Sequence, residues 1–203
     1  MEIENHKELV PFAHYCQQWR ELDARAAAAR GVPFDGSAFT VTMLGVSYRL
    51  AWPEFAVSTE DGKGFALQNI PAQILLIRYV MSARPAPFSG RFLTFRETPW
   101  GDVYIQPFTG RCLNRAAFTF GPRLPAFRAA MEAMGAEAVP HGDAGYEVEF
   151  LPELRMQLLL WAGDDEFPPS SQILFSDNFP QVFAAEDRVV CADVLIGDAK
   201  CHM

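Results

Sequence analysis

Apolar and polar residues alternate in two short segments of the chain, and this pattern, together with a second pair of strand-like segments, predicts two β-hairpins. The first pair of segments covers residues 39–43 and 46–50, with Gly45 at the turn between them. The second pair covers residues 146–151 and 154–161. A period of two residues is typical of strands that bury one face, so each pair is expected to form an antiparallel ladder.

Apolar residues spaced about 3.6 positions apart predict helices elsewhere in the chain. These helices are expected within the first thirty residues and over 72–83, 125–134 and 186–197. Asp23 is a plausible N-cap that divides the first stretch into two short helices. Two further strands are predicted in the middle of the chain, at 91–97 and 103–105. Together these elements predict an α+β fold, in which an antiparallel sheet is flanked by helices.

The order of a helix, a hairpin and a proline-led Gln-Ile-Leu segment occurs twice. The two Gln-Ile-Leu segments cover residues 71–75 and 169–174. One interpretation is an internal duplication within a single domain spanning 1–203, whose related halves cover about 1–85 and 122–180 and are joined by a connecting region at 86–121. The alternative is that amphipathic hairpins look alike because they solve the same packing problem. A duplication would make a cleft between the halves the expected ligand site.

Composition and charge narrow the classes of partner and the cellular location. The chain has 203 residues, of which 50% are hydrophobic, and a net charge of −8. This acidic balance disfavours nucleic acid and anionic membranes as partners. The sequence shows no apolar run long enough to span a bilayer and no signal peptide at its start, and its four cysteines are widely spaced. We therefore expect a cytoplasmic protein with reduced thiols that binds a small molecule, with a homodimer as an open option.

The segment 164–171 carries the first group of candidate site residues. Asp164, Asp165 and Glu166 precede two prolines, which stiffen the backbone around carboxylates suited to a hard cation or a general base. Ser170 and Ser171 are predicted to cap a following helix and to present free N–H groups to an anion. The alternative interpretation is a solvated acidic turn followed by an ordinary helix cap.

Arg96 and Glu97 form the second group, at the end of a predicted strand. Arg96 is suited to hold a carboxylate or a phosphate, or it forms an internal ion pair with Glu97 or with the acidic segment. No common catalytic motif and no convincing set of metal ligands stands out in the sequence. The sequence therefore assigns neither a metal nor a cofactor.

Three segments resemble a family of domains of unknown function numbered 3786. They cover residues 71–76, 95–99 and 161–175, and the third contains the acidic Phe-Pro-Pro sequence. The resemblance extends over roughly residues 22–198. It implies relatives in anaerobic bacteria and archaea, some fused to iron–sulfur modules, and it implies no established activity.

Two functional hypotheses follow from these observations. The first is an accessory protein of anaerobic metabolism that binds a small ligand or a cofactor. The alternative is an enzyme, a hydrolase or a lyase. In the enzyme, the carboxylates of Asp164, Asp165 or Glu166 would serve as metal ligand or base, and Arg96 would hold the substrate.

Overall fold

The computed structural model of the chain describes residues 6–203, and the prediction of an α+β fold is confirmed. The residues group into two compact units, one ending at Arg84 and one spanning Pro85–Met203. Each unit contains helices and its own antiparallel sheet. In the part of the chain that the structure describes, no helix has both the length and the apolarity needed to cross a bilayer.

The first unit places a three-stranded sheet among three helices. Asp23 caps the second helix by accepting hydrogen bonds from the backbone N–H groups of Arg25 and Ala26, both at 3.0 Å, as the sequence predicted. The strands pair in chain order, each antiparallel to the next. The elements are α1 (His6–Arg20), α2 (Ala24–Ala29), β1 (Ala38–Met43), β2 (Val46–Ala51), β3 (Val57–Ser58) and α3 (Ile70–Met81).

The glutamine of the first Gln-Ile-Leu segment has a structural role in this unit. Gln73 lies on α3 and is buried, and its amide donates hydrogen bonds to the carbonyl oxygens of Ala66 at 2.8 Å and Leu67 at 3.3 Å. The hydroxyl of Tyr48 accepts the N–H of Ala66 at 3.2 Å. Because these buried polar groups satisfy one another, the short 3₁₀ turn Phe65–Leu67 is fixed against α3.

The second unit is built around a five-stranded antiparallel sheet in the order β4-β8-β7-β6-β5. Helices α5 and α6 contact this sheet, and α7 contacts α4 and α6. A π-helical turn, Thr109–Asn114, joins α4 to α5. The elements are β4 (Phe92–Thr94), α4 (Gly101–Phe108), α5 (Arg115–Phe120), α6 (Leu124–Ala133), β5 (Glu137–Ala138), β6 (Ala144–Leu151), β7 (Leu154–Trp161), β8 (Ser170–Ser176) and α7 (Ala185–Cys201).

Two predicted elements are wrong in type. Residues 103–105, predicted as a strand, lie within α4, because a short apolar run fits either a helix or a strand until its packing decides. The segment that begins at Ser170 was expected to be a capped helix, but it forms β8, which pairs with β7 along most of its length. The two Gln-Ile-Leu segments therefore lie in a helix and in a strand, and the internal duplication stays a prediction.

Candidate functional site

A tight corner of residues 94–101 joins the end of β4 to the start of α4. Its first half is a capping box, in which the Glu97 carboxylate accepts the backbone N–H of Thr94 at 2.7 Å and the Thr94 hydroxyl at 2.8 Å. These hydrogen bonds lower the pKa of Glu97. Glu97, a candidate ligand-binding residue, therefore has a structural role in holding the corner.

The second half of the corner is closely packed. The hydroxyl of Thr98 donates to the carbonyl oxygen of Phe95 at 2.5 Å, and Trp100 has a φ of 63°. Such a positive φ is rare for a bulky residue. Gly101 comes so close to the preceding turn that a Cβ at this position would lie 2.0 Å from the Phe95 carbonyl oxygen. The position therefore requires glycine.

A cavity of about 250 Å³ opens beside this corner. Two of its walls are the buried rings of Phe95 and Phe108, which stack with their centroids 4.0 Å apart and their planes 8° from parallel. The cavity is lined by Thr94, Phe95, Arg96, Ile105, Phe108, Leu113 and Gln172. Four of these seven residues are apolar, so the cavity presents a mainly apolar surface to an occupant.

Arg96 and Gln172 are the polar long-chain residues of the lining. The Arg96 side chain is 67% exposed, and its Nε lies 3.5 Å from a carboxylate oxygen of Asp102. The Nη atoms of Arg96 and the side-chain amide of Gln172 have no hydrogen-bond partner among residues 8–203. Because an exposed ion pair contributes little free energy, Arg96 can exchange Asp102 for another anion.

The π-helical turn forms another side of the cavity and is anchored to β8 and α7. The carbonyl oxygen of Leu113 accepts the hydroxyl of Ser171 at 2.7 Å. The thiol of Cys112 donates to the carbonyl oxygen of Val189 at 3.4 Å, and burial raises the pKa of this thiol to about 12. Turns of this kind are uncommon in helices and occur frequently at functional sites.

An ion-pair cluster supports the same turn from outside. Arg111, within the turn, and Arg115, directly after it, both pair with the carboxylate of Asp193 on α7. The distance from Arg111 Nη2 to the carboxylate is 2.7 Å. Two cations sharing one acid hold the turn against α7.

A buried arginine lies behind the Phe95 wall. Arg188, on α7, is 1% exposed, and its Nη atoms donate to the carbonyl oxygens of Phe183 at 2.6 Å and Pro99 at 2.5 Å. Its guanidinium carbon lies 5.8 Å from the centroid of the Phe95 ring, and its Nε is buried without a hydrogen-bond partner. Burial lowers the pKa of Arg188.

The acidic segment forms a turn within the β7–β8 connection. A carboxylate oxygen of Asp164 accepts the backbone N–H groups of Glu166 at 2.8 Å and Phe167 at 2.7 Å, which lowers the pKa of Asp164. Asp165 and Glu166 are exposed, and neither forms an ion pair within the described part of the chain. One of the three carboxylates of the segment, that of Asp164, therefore stabilises the turn itself.

The structure separates the two groups of candidate residues. Arg96 lines the cavity, whereas Asp164, Asp165 and Glu166 do not. Ser170 and Ser171 do not cap a helix, because they begin β8 opposite Trp161 and Leu160. Among the described residues, no three or more histidine, cysteine, aspartate or glutamate side chains are grouped to hold a metal ion.

Sequence reasoning missed Gln172, the Phe95–Phe108 pair and Arg188. Arg188 had a usable signal, because it occupies an inward position of a helical stripe that also contains Ala185, Ala192 and Leu195. A cation at an otherwise apolar helical position indicates a buried charge with a specific environment. The stacked phenylalanines gave no such signal, since their pairing joins a turn to a helix that was itself predicted as a strand.

The family comparison agrees with the resemblance inferred from the sequence. The model of a family described as a domain of unknown function, DUF3786, matches residues 24–198, which confirms that resemblance. No curated protein and no solved structure matches the chain.

Proposed function

The chain belongs to the DUF3786 family, a domain of unknown function, and we propose that it binds a small, mainly apolar molecule in the cavity beside Arg96. One observation carries the proposal. The cavity combines a mainly apolar lining with two polar groups, the Nη atoms of Arg96 and the side-chain amide of Gln172, that have no hydrogen-bond partner in the described chain. A concave apolar surface with a few polar groups is the usual character of a small-molecule site.

The volume of the cavity indicates the size of the group that it can hold. A cavity of roughly 150 Å³ lined by apolar side chains is large enough to hold benzene. The volume of about 250 Å³ therefore accommodates a six-membered ring with one or two substituents.

The walls of the cavity support binding because they are held in place without a ligand. The capping box of Thr94 and Glu97 fixes one end of the corner, and the hydrogen bond from Ser171 to Leu113 fixes the π-helical turn. Binding to such a preformed site loses less conformational entropy than binding to a mobile one.

The alternative enzyme function has weaker support. The loop carboxylates do not line the cavity, and Asp164 accepts two backbone hydrogen bonds of its own turn. We propose instead an accessory, ligand-binding role in the cytoplasm, and four cysteines without disulfide bonds are consistent with that compartment. The link to anaerobic metabolism stays a prediction from the resemblance.

Two variants on the same helix test the proposal. Ile105→Trp fills the cavity from its α4 wall, whereas Val103→Trp places the same side chain at a position that is 66% exposed. The probe is benzamide, and its binding is measured by ligand-detected NMR. We expect saturable binding to the natural protein and to Val103→Trp, and no binding to Ile105→Trp. Absence of binding to the natural protein, or equal binding to all three proteins, would overturn the proposal.

A further inference from the structure

We propose that the ligand of the cavity is a carboxylate, and that Arg188 together with Arg96 determines this preference. The inference rests on the proposed function, because it names the class of molecule that the same cavity binds. Arg96 contacts the ligand directly, whereas Arg188 acts from behind Phe95 as a residue that determines specificity.

The charge of Arg188 is not cancelled by its hydrogen bonds. Its two protein acceptors are the neutral carbonyl oxygens of Phe183 and Pro99, and it forms no ion pair within 4.0 Å in the described chain. Asp187 and Cys191 interact with Arg188 from beyond 4.0 Å and raise its pKa, but burial has the larger effect and lowers it. Asp187 is also part of the α7 cap. A buried cation whose hydrogen bonds go to neutral groups, and whose charged neighbours do not outweigh its burial, still acts on charges near it.

Arg188 and the cavity share Phe95 as a neighbour. Its guanidinium lies over the ring of Phe95, and Phe95 is a wall of the cavity. The Phe95 and Phe108 rings are each 1% exposed, so little water separates Arg188 from an occupant. Interactions between poorly hydrated charges are weakened less by solvent and salt than those at the surface.

Two cations and an apolar cavity together favour an apolar carboxylate. The free Nη atoms of Arg96 offer the planar pair of donors that matches the two oxygens of a carboxylate. The apolar lining accommodates the ring or chain of the ligand, and Arg188 stabilises its negative charge from behind Phe95. An anion also recovers part of the free energy that the burial of Arg188 costs, which is consistent with the lowered pKa of that residue.

The experiment compares benzoate with benzamide, which has nearly the same shape but no charge. Dissociation constants are measured by calorimetry for the natural protein and for the variants Arg96→Met, Arg188→Met and Arg188→Lys. We expect the natural protein to bind benzoate about tenfold or more tightly than benzamide. The ratio of the affinity for benzoate to the affinity for benzamide should fall roughly fivefold in Arg188→Met and be largely retained in Arg188→Lys. The affinity for benzamide itself should change little.

The results distinguish this inference from the proposed function. Binding of both probes with equal affinity, or an unchanged ratio in a folded Arg188→Met variant, contradicts the role of Arg188 and leaves the cavity as a ligand site. Failure of both probes to bind refutes the proposed function itself. A purely structural role for Arg188 would weaken both probes alike and leave their ratio unchanged.

A second measurement does not depend on the folding of Arg188→Met. In Arg96→Met, the remaining preference for benzoate is expected to come from the buried Arg188. This preference should persist at a KCl concentration of about 0.5 M, at which exposed charges are largely screened. Complete loss of the preference in that variant would contradict the inference.

Discussion

The substitution Gly101→Ala tests whether the corner before α4 is as closely packed as its geometry indicates. The new Cβ would lie 2.0 Å from the carbonyl oxygen of Phe95 and 2.9 Å from the Cα of Arg96. An ordinary contact of this kind begins at 3.4 Å. Both neighbours are backbone atoms, which cannot rotate away as a side chain would. The corner must therefore move, and Phe95 and Arg96, which line the cavity, must move with it.

The expected loss in the free energy of unfolding is about 2 kcal/mol, within the range of roughly 1–3 kcal/mol for an added methyl group in a packed region. Gly110→Ala is the matched control. It lies in the π-helical turn of the same helical run, it is exposed, and its Cβ would have no atom within 4 Å. Alanine is favoured over glycine in helices, so this control should be more stable by about 0.5–1 kcal/mol.

Urea denaturation, followed by circular dichroism, gives the free energies of unfolding for both variants. Benzamide binding, measured on the folded proteins, reports on the cavity itself. We expect Gly101→Ala to lose stability and to bind the probe more weakly, and Gly110→Ala to keep its affinity. Equal or greater stability of Gly101→Ala relative to Gly110→Ala would refute the argument from packing.

Three further predictions concern other parts of the chain. Gln73→Met removes the donor for two carbonyl groups and should lower the free energy of unfolding by about 1–3 kcal/mol, as measured by urea denaturation. In the native protein, iodoacetamide at pH 8 should modify the exposed Cys201 but not Cys112, because burial raises the pKa of Cys112 to about 12. Mass spectrometry identifies the modified thiols, and rapid modification of Cys112 would contradict its packing. The hydrogen bonds that lower the pKa of Asp164 stabilise the folded turn at pH values above the pKa of an aspartate in the unfolded chain, which is near 4. That contribution should disappear as the pH falls below 4 and should be absent in Asp164→Ala, which hydrogen exchange at Phe167 would detect.

The sequence predicted the elements whose pattern is set by local chemistry. The hairpin at 39–50 follows from alternation of apolar and polar residues, the hairpin at 146–161 follows from a second pair of strand-like segments, and the start of α2 follows from the side chain of Asp23. Each of these features is decided within a few residues of its own position. Their type and approximate bounds were therefore accessible without knowledge of the fold.

The region that forms the cavity could not be predicted in the same way. Residues 103–105 have the composition of a strand, but they are helical, and the same helix contributes Ile105 and Phe108 to the lining of the cavity. The pairing of Phe95 with Phe108, and of Ser171 with Leu113, joins residues far apart in the sequence. Arg96 was identified as a candidate anion-binding residue, but the cavity beside it depends on these long-range contacts.

The acidic segment shows how a structural motif resembles a functional one in sequence. The carboxylate of Asp164 followed by two prolines suggests a rigid ligand for a cation or a base. In the structure, that carboxylate accepts the N–H groups of its own turn, as aspartate commonly does in such turns. Asp165 and Glu166 are left exposed, and a ligand-binding role for them stays a prediction.

The most direct test of the proposed site is a measurement of intermolecular nuclear Overhauser effects between benzoate and the protein. We predict effects from the ring protons of benzoate to the methyl groups of Ile105 on α4 and Leu113 on the π-helical turn, which both line the cavity. The same protons should show effects to the ring of Phe108. Effects to residues of another surface alone, or none at a concentration of benzoate that saturates the protein, would contradict the assignment of this cavity as the ligand site.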